Sequence, residues 1–97
     1  MKVIFSDRSR ARLHEIQSYV AFHNIRAAVQ VIDRILYTTE LLADHPHLGT
    51  LWRAGKTRAL VVSGLPYRIH YRVDDARKRI IVITVSHTSR KEPELRW

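Results

Sequence analysis

Tyr67-Arg68-Ile69-His70-Tyr71-Arg72-Val73, followed by Ile80-Ile81-Val82-Ile83-Thr84-Val85-Ser86, decides how this chain folds. The first run alternates strictly. Tyr67, Ile69, Tyr71 and Val73 point one way and Arg68, His70 and Arg72 the other, as in a strand with one apolar and one basic face. The second run is apolar on both faces, which predicts the interior of a sheet. Asp74-Asp75-Ala76-Arg77-Lys78 joins the two as a hairpin. Thr57 to Val62, ahead of the turn Ser63-Gly64-Leu65-Pro66, reads as a third strand of the same antiparallel meander.

Outward from this meander, Lys2 to Phe5 reads as a short opening strand. Ser6 suits an N-cap and Asp7 the first turn of a helix. Leu13, Ile16 and Val20 recur at helical spacing, so the first helix is expected to run to Ala21 or Phe22. Asn24 is a second N-cap. Ile25, Ala28, Val29, Ile32, Leu36, Thr39 and Leu42 or Ala43 then trace one stripe, ending near Asp44 before Pro46. The link His23-Asn24 is short enough to make the helices an antiparallel hairpin. His45-Pro46-His47-Leu48-Gly49 is a turn cluster, and Trp52 falls in the loop after it. The predicted order is β-α-α-β-β-β, an α+β fold with a helix hairpin packed on a mostly antiparallel sheet.

At 97 residues the chain is read as one domain, 1–97. It has no cysteine, which excludes disulfides and thiolate metal sites and fits a reducing cytoplasm. No apolar run approaches the roughly 20 residues that span a bilayer, so no membrane association is expected. The net charge of +8 is unevenly spread. Residues 1–50 hold six Lys/Arg against five Asp/Glu, and residues 51–97 eleven against four. Thirteen of the seventeen cations are Arg, whose planar fork pairs with carboxylate and phosphate. A basic face on a rigid sheet suits an acidic partner or a phosphate backbone.

The remaining motifs have plainer readings. His45-x-His47 has metal-like spacing, but Pro46 and the lack of a third ligand make it a turn, and no metal or cofactor is expected. His70 reads as a surface strand residue whose flanking arginines lower its pKa. His87 is expected to order the turn into Thr88-Ser89-Arg90 by hydrogen bonding. Arg77-Lys78-Arg79 reads as a solvated knuckle. Arg90-Lys91-Glu92-Pro93-Glu94-Leu95-Arg96-Trp97 suggests a short helical turn seating Leu95 and Trp97 on the sheet edge.

The order of elements and these residues together resemble the ParE/RelE superfamily of type II toxin–antitoxin toxins. Ile16, Tyr19, Asn24 and Ala27-Ala28 are similar to the family's helix hairpin. Leu41-Leu42-Ala43-Asp44-His45-Pro46 leading to Gly49 is similar to its helix exit. Arg58, Pro66 to Val73 and Val85-Ser86-His87-Thr88-Ser89-Arg90 complete the likeness over nearly the whole chain. The resemblance implies a cognate antitoxin with an acidic, amphipathic C-terminal segment, a toxin–antitoxin hetero-oligomer, and one of two activities. RelE-like toxins are metal-independent endoribonucleases that cut mRNA on the ribosome. ParE-like toxins poison DNA gyrase.

Arg68 matches the strand arginine of the nuclease set. Ala59 to Val62 stand where RelE-like members carry lysines, and Thr88 near the place of a catalytic arginine. The resemblance is therefore more ParE-like, with no catalytic residues and a target surface of Arg68, Arg72, His87, Arg90 and Trp97. A nuclease would have to be built from Arg68, His70, Arg72, His87 and Arg90. Antitoxin contact falls to Trp52, Arg58, Arg68 and Arg72. A toxin-fold protein that only binds an antitoxin is the third reading.

Overall fold

The computed structural model describes residues 1–52 and 55–89. Strand β1 (Lys2–Phe5) leads into helices α1 (Asp7–His23) and α2 (Ile25–Asp44), and strands β2 (Thr50–Trp52), β3 (Thr57–Val61), β4 (Tyr67–Asp74) and β5 (Arg79–His87) follow. They form one sheet in the order β1-β5-β4-β3-β2. β1 runs parallel to β5, and the other neighbours are antiparallel. The fold is the α+β arrangement the sequence predicts, with one strand more.

That strand is β2. Thr50, Leu51 and Trp52 pair with Ala59, Arg58 and Thr57, whereas the sequence reads them as loop. Three residues with Leu51 exposed carry too little alternation to announce a strand, and their pairing partner lies across a tight turn.

Asn24 does two jobs at the hairpin. Its backbone N–H donates to Val20 O at 2.8 Å, closing α1, and its Oδ1 accepts from Ala27 N at 3.0 Å, opening α2. A single residue therefore separates the helices. Ser6 caps α1 by accepting from Ser9 N at 3.1 Å, and its hydroxyl donates to Ile83 O at 2.8 Å. Arg12 Nε donates to Val85 O at 2.9 Å further along. The first turns of α1 thus occupy the edge of β5 beyond the end of β1.

The core lies between hairpin and sheet, around Ile16, Ile35, Leu42, Ile69, Tyr71, Ile80, Val82 and Val85. On α2 the buried line is Ala28, Ile35, Thr38, Thr39 and Leu42. Ile25, Val29 and Leu36 of the predicted stripe are exposed. The apolar arc of α2 is wider than the surface the sheet covers, so a line drawn down its middle takes in residues the sheet never reaches. Thr38 and Thr39 enter the core at little cost because their hydroxyls donate to Arg34 O and Leu36 O.

The alternation along β4 is as predicted. On β5 the register jumps between His70↔Thr84 and Tyr71↔Val82, leaving Ile83 as the extra residue of a bulge. The bulge returns Val85 to the helix side, while Thr84 and Ser86 face outward beside His70.

Where α2 hands over to β2, Tyr71 Oη donates to Pro46 O at 2.8 Å and accepts from Gly49 N at 2.9 Å. Arg58 Nη1 donates to Gly49 O at 2.8 Å. A Cβ on Gly49 would stand 2.8 Å from Ala59 O and from the Tyr71 ring and hydroxyl, so only glycine fits.

Candidate functional site

The sequence-predicted site residues divide between the two faces of the sheet. On the face away from the helices, Arg68 lays its guanidinium 4.9 Å from the centre of the Trp52 ring. Trp52 in turn stands edge-on to His70 at 5.3 Å. His70 Nε2 is hydrogen-bonded to Ser86 Oγ at 2.8 Å. Arg72, two residues on, shares this face.

His70 is fully buried, not a surface residue. β4 is the middle strand of five, and Trp52 with Arg68 lies across its outer face, so alternation placed the side chain correctly but not its exposure. Burial, then the charges of Arg68 and Arg8, lower its pKa to about 4. The flanking arginine is thus a secondary cause. On β3 the same outer face presents Ala59, buried, and Val61, 51% exposed. It carries no cation at either position.

His87 faces the other way. Its ring stands edge-on to Tyr67 at 5.6 Å, on the helix side and beside Arg12, Glu15 and Tyr19 of α1. It accepts at Nδ1 from Ser89 N at 3.2 Å, ordering the turn as expected. The structure therefore brings Trp52, Arg68, His70 and Arg72 together and holds His87 apart from them. Arg58 also sits apart, engaged with Gly49 O beside Tyr71. Arg90 and Trp97, and the expected turn over 90–97, lie outside the described residues.

The hairpin tip is anchored more firmly than a solvated knuckle. Asp74, 7% exposed, accepts from Arg79 Nε at 3.1 Å and Arg77 Nη1 at 3.3 Å. Burial works against its charge, but those hydrogen bonds prevail and hold the carboxyl below its usual range. His45, Pro46 and Leu48 form a turn closed by Leu48 N donating to His45 O. Among the described residues no group of three His, Cys, Asp or Glu could hold a metal ion. None of the described helices is long and apolar enough to cross a membrane.

One surface escaped the sequence reading. A groove of about 850 Å³ runs between α2 and β3, walled by Tyr37, Leu41, Leu48, Leu60 and Val61, with Asp33 and Arg34 also lining it. Tyr37 and Leu41 are one helical turn apart, and that second apolar line on α2 was the available signal.

Residues 3–92 match the family described as ParE toxin of type II toxin–antitoxin system, parDE. The chain belongs to the ParE toxin family. A Sinorhizobium fredii protein named "Putative toxin Y4kP" is 33% identical over 88 residues, covering 91% of this chain and 88% of that protein. Among solved structures, the chromosomal ParDE TA system from P. aeruginosa superposes with a TM-score of 0.79 at 18% identity, covering 92% of this chain and 97% of that one. The isolated E. coli RelE toxin gives 0.70 at 17% identity over 94% and 87%. These two likenesses are of fold. As a ParE-family toxin of the ParE/RelE superfamily, the chain is the toxin component of a type II toxin–antitoxin system.

Proposed function

We propose that this ParE-family toxin acts by binding DNA gyrase rather than by cutting RNA, and that a cognate antitoxin silences it. The observation that carries the reading is the outer face of the sheet. Cleavage of RNA by its own 2′-hydroxyl needs a base, cations for the phosphate oxygens and an acid for the leaving oxygen. Beside Arg68, β3 supplies Ala59 and Val61 in place of cations. The imidazole nearest Arg68 is sealed from solvent and tied to Ser86. A buried imidazole cannot reach a substrate proton.

The antitoxin reading is supported by the family and by two surfaces. The α2–β3 groove offers an apolar seat, and the basic half of the chain offers charge to an acidic segment.

Purified toxin in gyrase supercoiling and cleavage-complex assays, beside ribosome-programmed mRNA cleavage, tests the choice. Inhibited supercoiling with intact mRNA is the expected result. Codon-positioned mRNA fragments that vanish with Arg68→Ala would assign the chain to the nuclease branch. Activity in neither assay would leave antitoxin binding as its role.

A further inference from the structure

Helix α1 has two unlike faces. Ser9 and Ile16 are buried, and Leu13 and Val20 pack against the margin of the core. Its far flank, formed by Ala11, Glu15, Ser18 and Phe22, recurs at spacings of four, three and four residues and is exposed throughout. Phe22 is 86% exposed and Tyr19, beside it, 64%. Two large aromatic side chains kept in water on one helix mark a surface made to be covered. His23 stands edge-on to both rings, 5.6 Å from Tyr19 and 5.3 Å from Phe22. Rings held this way lose little side-chain freedom on docking.

The sizes and charges along the flank point to what covers it. Phe22 stands at one end and Ala11 at the other, with Glu15 and Ser18 between. Laid antiparallel to itself about a twofold axis between Glu15 and Ser18, the flank sets large against small. Phe22 then falls over the second copy's Ala11, and Glu15 over the second copy's Ser18, whose hydroxyl can donate to the carboxylate. The charges agree. Arg8, Arg10 and Arg12 lie in the first half of α1, and residues 15–23 hold no Lys or Arg. Antiparallel pairing brings the cationic half to the half with Glu15 and the aromatic faces. Parallel pairing would set arginine against arginine. Arg12 keeps its own bonds, Nε to Val85 O and Nη1 to Glu15 Oε2. An acidic peptide or a phosphate backbone would meet the Glu15 charge.

An aromatic side chain brings roughly 150–250 Å² to a contact. Phe22, Tyr19 and the residues between them and Ala11 therefore cover on the order of 500 Å² per copy. The pair buries on the order of 1,000 Å², the lower bound for a specific interface. Such a dimer is weak and forms reversibly.

We propose that α1 is a self-association surface, on which two copies of this chain pair antiparallel with Phe22 of each seated over Ala11 of the other. The pairing shares no residue with the α2–β3 groove and does not rest on gyrase as the target.

Sedimentation velocity of the purified full chain, up to about 200 µM, tests it. A monomer–dimer equilibrium with a midpoint of about 10–100 µM is expected. Phe22→Ala should raise the dissociation constant at least about tenfold. Ala11→Leu should do the same by filling the seat of the ring, at an exposed helical position where leucine suits the fold. Melts confirm that both variants fold. The chain has no cysteine, so introduced ones report the register. Glu15→Cys mixed with Ser18→Cys should form a mixed disulfide on mild oxidation. Ala11→Cys alone should not, because its two copies would lie about 16 Å apart along the helix axes. Three results would overturn the proposal: a monomer at about 200 µM, a dimer that neither Phe22→Ala nor Ala11→Leu weakens, or Ala11→Cys cross-linking as fast as the mixture.

Discussion

His70 shows what one side chain can do to a small fold. Its pKa is about 4 in the folded chain against 6.5 when unperturbed. Above pH 6.5 neither state holds the proton, and stability is complete. As pH falls from 6.5 to 4 the unfolded chain takes up a proton that the folded chain refuses, so stability is lost through that window, by at most about 3 kcal/mol. Asp74 acts lower. Its depressed folded pKa contributes stability above the usual carboxylate value, lost as pH falls through the folded one. Urea melts of wild type and His70→Gln between pH 7 and 4 should converge as pH falls, because only the wild type loses stability to His70. Parallel curves would mean that the folded chain protonates His70 as readily as the unfolded one.

At the scale of elements, the link between α2 and β2 is the least forgiving part of the fold. Gly49 is enclosed by the Ala59 carbonyl and the Tyr71 ring, and its own N–H and C=O serve Tyr71 and Arg58. Gly49→Ala should cost about 2 kcal/mol by overpacking, a fall of roughly 10 °C in Tm for a domain this size. A melt within a degree or two of wild type would show that the carbonyl and ring can move apart. The sequence displayed the glycine but not what crowds it, since Ala59 and Tyr71 arrive from other strands. The same limit explains other differences. Strict alternation fixed which way Arg68, His70 and Arg72 point, because pleat is a local property. Whether His70 meets water depended on Trp52, a residue of an edge strand too short to be read. Ile25, Val29 and Leu36 looked like core for a related reason: periodicity reports an apolar arc, and only tertiary packing decides how much of it is covered. His87 was legible as a strand-end histidine, but its separation from Arg68 and Arg72 follows from the bulge at Ile83 and the sheet's two faces.

At the scale of the whole molecule, the proposed antitoxin surface has two separable parts, charge and groove. The excess of cations over residues 51–97 acts at a distance, and salt screens it as the Debye length shrinks from about 10 Å at 0.1 M to 3 Å at 1 M. The groove beside Tyr37 would act by contact. Titrating a cognate antitoxin should therefore show affinity falling with salt, while Tyr37→Ala costs about tenfold at every salt concentration. Salt-independent binding would remove the basic half from the interface, and an unaffected Tyr37→Ala variant would remove the groove.

The parallel pairing of β1 with β5 sets an order on synthesis. Lys2 to Phe5 leave the ribosome long before their partners Arg79 to Val82. Until those emerge, β1 has no ladder to join, and the first turns of α1 lack the carbonyls of Ile83 and Val85 that hold them. A contact this distant in sequence forms late, because loop closure must come first. A nascent chain halted before Ile80 is consequently an incomplete sheet, with β1 unpaired and the start of α1 untethered.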